Sequence, residues 1–546
     1  MRAVRWRFQR TVVLAVATGI VVGLAVALFE YVAAGMVLER ILDARLAVQM
    51  AAPGVGLLLA TLALRWFARR ASPSTADEYV NYFHDRRRAL PLWPVPGRLA
   101  AAAATLGLGG ALGFEGPSIY LGAATGSAMQ QRFQGWFGRE ETRVLMVAGA
   151  AAGVAAVFRA PVTGAVFALE VPYRHDLAAR AVLPALMGAA SSYLAFVAVR
   201  GTDPLLGVFG HPTFSTADLA GAVAVGLLCG VGARGFAAVV GWAKRLSRRS
   251  RVRVRLPAVG LALLGLAASS YAVFDASLTL GPGYQAITWA ADPHEGLPLV
   301  ALLFAMRFAA TGLTLAGGGA GGVFVPLAVQ GALVGRFVSG LLNDTQSSLF
   351  PLVGMAAFLG AGYRTPIAAI AFVAEVTGGR AGFVIPGLIA AVTADLVMGE
   401  SSVSGYQQDR RAGHLERRLR LPVTAALVRD AHPVSPQTSL HDLVNVHFVS
   451  ADARSVPVAS DGHYLGMVRG EDVEHVEQLE RDAMTVADVM TSLQPAELSW
   501  TMRRAVMVMR ETGAERLAVV DHGRLVGVVT MTEILRLDDL LDGEDA

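Results

Sequence analysis

The chain has 546 residues, of which 54% are hydrophobic and 16% charged, where a soluble domain carries about 25% charged residues. Its formal charge of +4 is too small to imply a nucleic-acid partner, and one cysteine, Cys229, excludes an internal disulfide. The charge deficit falls on the first ~400 residues, which predicts a polytopic membrane domain followed by a soluble one.

In chain order, "MRAVRWRFQR" sets Arg2, Arg5, Arg7 and Arg10 ahead of an apolar run. That run, Thr11 to Phe29, lacks a small-residue cleavage motif and reads as a first helix within a segment 11–36. Further hydrophobic segments are read at 51–66, 98–112, 143–158, 181–199, 217–243, 256–274, 297–316, 321–342, 349–376 and 383–398. Several fall short of the roughly 20 residues a straight span needs, and Gly or Pro interrupts several more. Such broken segments are tolerated at membrane depth only where they line a protein cavity. Two further basic clusters follow: Arg69, Arg70, Arg86, Arg87 and Arg88, then "KRLSRRSRVRVR" from Lys244 to Arg255. All three read as positive-inside loops, which predicts a cytoplasmic N-terminus and a cytoplasmic soluble tail in a multi-pass inner or plasma membrane protein.

The apolar region contains a duplication. "FRAPVTGAVFALEV" (Phe158 to Val171) matches "YRTPIAAIAFVAEV" (Tyr363 to Val376), pairing Arg159 with Arg364, Pro161 with Pro366, Phe167 with Phe372 and Glu170 with Glu375. "GFEGPSIYLGAATG" (Gly113 to Gly126) matches "GVFVPLAVQGALVG" (Gly322 to Gly335) in its prolines and glycines. The two offsets, 205 and 209 residues, nearly agree, so the domain is two homologous halves. Repeats with broken helices mark transporter folds, whose sites form near the midplane at half-helix N-termini. Each proline stands where the first residue of a new helix is expected, and a helix start offers free N–H groups and a positive dipole end to an anion. Glu115, in "GFEGPSIYLG", is a carboxylate at membrane depth, which is costly and therefore a candidate functional group.

These residues resemble the CLC family of chloride channels and chloride/proton exchangers. "GFEGP" is similar to its G-[KR]-E-G-P motif, with Phe114 in place of the basic residue, and "GGVFVP" to its G-x-F-x-P motif. The resemblance implies an all-α polytopic membrane domain of two inverted repeats over residues 1–420. It further implies a homodimer with a pore in each subunit, and a non-enzymatic protein whose ligand is chloride or another small anion. It makes Glu115 the gate, a tethered carboxylate competing with the anion. It assigns anion contacts to Ser74, Gly113, Phe114, Gly116 and Tyr406, and to the N–H groups of Val323 and Phe324. In the family, serine at position 74 goes with chloride and proline with nitrate, and Pro73 is one residue away. The residues themselves offer another reading: Thr75 and Glu78, three apart, form a capping box that starts a helix. Glu170 and Glu375 are expected to be structural. Family exchangers carry a proton-passing glutamate directly after the position of Glu170; here Val171 stands there, as is typical of the channels. The expectation is therefore passive, glutamate-gated chloride conduction, with chloride/proton antiport as the alternative.

The tail alternates short β-like and helical runs. "VADVMTSLQPAELSWTMRRAVMVMRETGAERLAVVDHGRLVGVVTMTEIL" (Val486 to Leu535) resembles a CBS module, with "RLAVVD" and "LVGVVT" as a hairpin about "HGR". Val434 to Val476 is a weaker copy. The expected modules are 421–482 and 483–546, a cytosolic α/β pair. Family modules that bind adenine nucleotides use a glycine, a hydroxyl and a carboxylate, which Gly527, Thr530 and Glu533 supply in order; the first copy has Gly466, Arg469 and Asp472. A CBS-containing magnesium transporter would need repeated intramembrane aspartates, which are absent. No H-E-x-x-H or G-x-S-x-G supports an enzyme, and no metal or cofactor is expected.

Overall fold

The computed structural model describes residues 2–69, 71–85, 88–136, 143–203, 205–206, 214–292, 294–342, 348–379, 382–410, 419, 421–449 and 454–536. Arg70, Arg86 and Arg87 of the second basic cluster, and position 420 at the expected domain junction, lie outside them. The chain divides into two compact units, Met1–Arg411 and Ala412–Ala546.

The first unit is helical. Its first repeat carries α1 (Arg2–Glu30), α2 (Leu46–Phe67), α3 (Thr75–His84), α4 (Val95–Gly107), α5 (Glu115–Arg132), α6 (Val144–Phe158), α7 (Pro161–Glu170) and α8 (Val182–Arg200). The second carries α9 (Asp218–Arg249), α10 (Val252–Phe274), α11 (Tyr284–Ala290), α12 (Leu297–Ala316), α13 (Phe324–Leu341), α14 (Leu349–Tyr363), α15 (Pro366–Val376) and α16 (Val384–Met398). Among the described residues, seven helices are long and apolar enough to cross a membrane. The interior is filled by shorter ones: α14, with 15 residues, is only about 22 Å long, against a hydrocarbon core of about 30 Å.

The segment read as one span at 349–376 is two helices. Arg364 adopts a left-handed φ of 57° and ends α14, and Pro366 then occupies the first turn of α15. The first repeat does the same with Arg159, φ 54°, and Pro161 between α6 and α7. In α5, Gly122 packs directly on the Gly149 backbone of α6; in α13, Gly331 packs the same way on Gly354 of α14. A methyl at any of these four glycines would overlap a backbone carbonyl, so the small residues are fixed by close helix contact.

The second unit holds a five-stranded sheet in the order β1-β2-β5-β4-β3. Its strands are β1 (Ser455–Ser460), β2 (His463–Arg469), β3 (Ala496–Glu497), β4 (Arg516–Asp521) and β5 (Arg524–Thr530). β1–β2 and β4–β5 are antiparallel hairpins joined where His463 pairs with Arg524, and β3 runs parallel to β4. Both hairpins turn through two positive-φ residues, Asp461–Gly462 and His522–Gly523, the geometry that matches strand twist. Each has its own apolar core, one around Val456, Val458 and Val468, the other around Leu517, Val519 and Val529.

Candidate functional site

The two repeats meet through their glycine turns. The Gly113 N–H donates to the Gly322 carbonyl at 2.9 Å, and the Gly322 N–H donates back to Gly113 at 2.8 Å. This pairing sets the first residues of α5 and α13 against each other, with both glycine turns buried.

Three half-helix starts each receive a carboxylate. Glu375 accepts from the Val162 N–H at 3.0 Å, the Thr163 N–H at 2.7 Å and the Thr163 hydroxyl at 2.6 Å, at the start of α7. Glu170 reciprocally accepts from Ile367 at 3.3 Å and Ala368 at 2.8 Å, at the start of α15. At the centre, Glu115 Oε1 accepts from the Phe324 N–H at 2.6 Å, at the start of α13. In each case the free N–H groups and positive dipole end of a helix hold a negative charge.

Glu115 is fully buried, and its side chain lies over Gly113 and Gly322, where only a missing Cβ leaves room. Its Oε2 has no hydrogen-bond partner. Phe114, also buried, stacks edge-on against Phe29 at 5.8 Å. A Cβ on Gly116 would lie 2.8 Å from Thr75 Oγ1 and 2.9 Å from the Gly322 nitrogen, so glycine is required there as well.

Thr75 is a residue that the sequence reading missed as a site candidate. It is fully buried, its hydroxyl has no partner, and it lies against the Gly116 turn. The capping box expected of Thr75 and Glu78 does not form. Ser74 is the N-cap of α3, without a side-chain cap, and Glu78 pairs instead with Arg98 at 2.6 Å. That charge pair is stronger than a hydroxyl-level cap, which explains the difference.

Phe324 is enclosed by aromatic rings from both repeats: Phe158 at 4.8 Å, Phe372 at 4.8 Å, Phe167 at 5.1 Å and Tyr363 at 6.2 Å. Tyr363 is 4% exposed, with its ring against Phe324, the residue whose N–H holds Glu115. Its counterpart in the other repeat is Phe158, the first residue of the motif match; the pairing of "FR" with "YR" was the available signal. Tyr284, at the start of α11, lies in electrostatic range of Glu115 and of Glu30.

Ser74 and Tyr406 lie together. Both line a cavity of 810 Å³ with Ser72, Pro73, Asp77 and Arg255. Tyr406 is 42% exposed there. Val171 is buried, and its carbonyl accepts from Gln407 Nε2 at 2.9 Å; the same amide donates to the Tyr363 carbonyl at 2.8 Å.

In the second unit, Thr530 Oγ1 accepts from the Glu533 N–H at 3.1 Å and Glu533 pairs with Arg536 at 3.0 Å. A Cβ on Gly527 would overlap the Val428 carbonyl, because the segment at Val428 bridges to Val528. In the other half, Gly466 is crowded by the Thr491 carbonyl, and Arg469 reaches Asp472 at 3.3 Å and Glu471 at 2.5 Å.

Residues 55–399 match the family model for voltage gated chloride channels, and residues 486–539 match that for the CBS domain. The H(+)/Cl(-) exchange transporter ClcA of Vibrio cholerae serotype O1 is 30% identical over 330 residues, spanning 57% of this chain and 68% of that protein. The voltage-gated ClC-type chloride channel ClcB of Salmonella typhi is 28% identical over 295 residues, spanning 52% and 67%. The crystal structure of a CLC-type fluoride/proton antiporter superposes with a TM-score of 0.63 at 20% identity, covering 74% of this chain and 98% of that one. The paired repeats with their broken helices thus have the CLC fold, and this chain is a multi-pass membrane protein belonging to the voltage-gated chloride channel family, with a CBS domain at its C-terminal side.

Proposed function

We propose that the protein exchanges chloride for protons, with Glu115 as both gate and proton acceptor. The observation that carries this reading is the Glu115 carboxylate seated on the Phe324 N–H, between the starts of two half-helices. A bound anion would compete with the carboxylate for that N–H. Protonation removes the charge that binds the carboxylate there, so proton arrival and anion entry become one event. The named function of the 30%-identical relative supports exchange over the passive conduction expected from Val171. Gly113, Phe114, Gly116, Val323 and Phe324 would line the anion position, and Ser74 and Tyr406 its approach from the cavity. The second reading, a passive channel, is favoured by one observation: the apolar Val171 side chain offers no proton site.

The protein would work as a homodimer with cytoplasmic termini, the latter following from its basic loops. Residues 421–482 and 483–546 would be paired CBS modules. Thr530 and Glu533 are engaged in starting a helix and Gly527 in a close strand crossing, which supports an architectural role for this unit; an adenine nucleotide is the ligand to test.

The test is chloride efflux from proteoliposomes, with external pH recorded together, for wild type and Glu115→Gln. Exchange requires proton uptake at a fixed ratio to chloride efflux, lost in the variant while anions still pass. Chloride efflux without proton uptake in the wild type would replace this reading with the channel.

A further inference from the structure

Three arginines line the 810 Å³ cavity that Ser74 and Tyr406 share: Arg65 of α2, Arg248 of α9 and Arg255 of α10. Arg65 and Arg248 are exposed, whereas Arg255 is only 8% exposed. Two carboxylates line the cavity as well, and each is already held by a cation from another helix. Asp77 pairs with Lys244 of α9, and Glu78 with Arg98 of α4 at 2.6 Å. Arg65, Arg248 and Arg255 form no ion pair among the described residues, which leaves the cavity with a surplus of positive charge.

The surplus has a focus at Arg255. Its Nη1 donates to the Ser247 carbonyl, and its Nε is buried with no hydrogen-bond partner. A methyl at Gly318 would lie 3.1 Å from Arg255 Nη2 and 3.2 Å from Ser247 Oγ. Gly318 also lines the cavity, and its φ of 83° favours glycine, so a point within reach of both a guanidinium N–H and a hydroxyl stays open. A planar guanidinium fork with a hydroxyl beside it matches the separate oxygens of a phosphate, whereas chloride offers a single acceptor atom. The cavity volume also far exceeds the roughly 30 Å³ that one water occupies in the liquid, so a group larger than chloride fits. Helices α2, α9 and α10 are long and apolar enough to cross a membrane, and basic pockets between such helices receive lipid headgroups.

We propose that this cavity binds a phosphate group, carried by a soluble anion or by an anionic lipid headgroup, with Arg255 and Ser247 as its anchor. Arg65 and Arg248 add attraction from the exposed side. A group bound there shares the cavity with Ser74 and Tyr406, so it obstructs the anion approach and lowers chloride flux. That consequence rests on the reading of the cavity as the approach; the binding does not.

The test has two readouts, for wild type, Arg255→Gln and Ser247→Ala. One is the melting temperature of the purified protein with inorganic phosphate, against chloride at equal ionic strength. The other is chloride efflux from phosphatidylcholine proteoliposomes, with inorganic phosphate on both sides or with phosphatidylglycerol added to the bilayer. Phosphate is expected to raise the wild-type melting temperature and to slow efflux. Arg255→Gln should raise the phosphate concentration for half-effect at least about tenfold, and Ser247→Ala at least about twofold. Where Arg255→Gln does not fold, Ser247→Ala, which removes only a hydroxyl, tests the same point. Slowing by phosphate alone identifies a soluble ligand; slowing by phosphatidylglycerol, relieved in the variants, identifies a headgroup. No melting shift with phosphate and no effect of phosphatidylglycerol in the wild type would overturn the proposal, as would effects of equal size in both variants. A melting shift weakened in the variants, with wild-type efflux unchanged, would keep the site and refute the cavity as the anion approach. Efflux is read without reference to pH, so the result stands whether or not protons move with chloride.

Discussion

Gly322→Ala adds a methyl group where the Glu115 side chain now lies. The three atoms nearest to that methyl are Glu115 Oε1, Cδ and Cγ, the last at 2.8 Å, so the far end of a flexible side chain has to move and no backbone does. Gly322 is not among the residues with positive φ, so its conformation accepts alanine. What the carboxylate loses on leaving is the 2.6 Å hydrogen bond from the Phe324 N–H. A hydrogen bond to a charged group contributes about 1.5–3 kcal/mol net, and each 1.4 kcal/mol is a factor of ten. The seated population of the gate should therefore fall about 10- to 100-fold. Chloride efflux from proteoliposomes should rise, and its coupling to proton uptake should weaken. Adding Gly322→Ala to Glu115→Gln should give no further rise, because the two act on one element. Efflux at or below the wild-type rate, with coupling intact, would mean that the niche over Gly113 and Gly322 is not where the gate rests.

Glu375→Ala removes the acceptor for two backbone N–H groups and one hydroxyl at the start of α7. Loss of an N-terminal cap costs about 0.5–2 kcal/mol, so the melting temperature in detergent should fall, and an unchanged one would refute a structural role. Asp488 is held below its usual 3.8 by hydrogen bonds from the Thr485 N–H and hydroxyl. A carboxyl whose folded value is depressed adds stability that is complete above 3.8 and is lost as pH falls through the folded value. Asp488→Asn should therefore lower the melting temperature of the C-terminal unit near neutral pH and flatten its decline in acid. An unaltered acid profile would refute this.

The duplication was legible because both proline–glycine patterns survive in the sequence, and the structure bears out the CLC-like architecture that they implied. Some elements were not legible. Helix α5 (Glu115–Arg132) is not among the hydrophobic segments read from the sequence. It is built from Gly, Ala, Ser and Gln, and it is buried by protein neighbours, so lipid never selected its hydropathy. The run 349–376 was read as one span because its break uses an arginine in a left-handed turn, a conformation that residue type does not announce. Thr75 was read as a cap because a hydroxyl three residues before a glutamate has that local pattern. Arg98, from another helix, took the glutamate.

The sequence by itself determined the membrane class, the repeat and the family, and singled out Glu115 as a candidate, since each is written in residue types at fixed spacing along one strand of text. That the Thr75 hydroxyl lies against the Gly116 turn and the Tyr363 ring against Phe324 was decided only by the tertiary structure. Thr75 and Tyr363 come from different repeats of the chain. The Gly116 turn and Phe324 lie close because Gly113 and Gly322, 209 residues apart, exchange two backbone hydrogen bonds and draw two half-helices together.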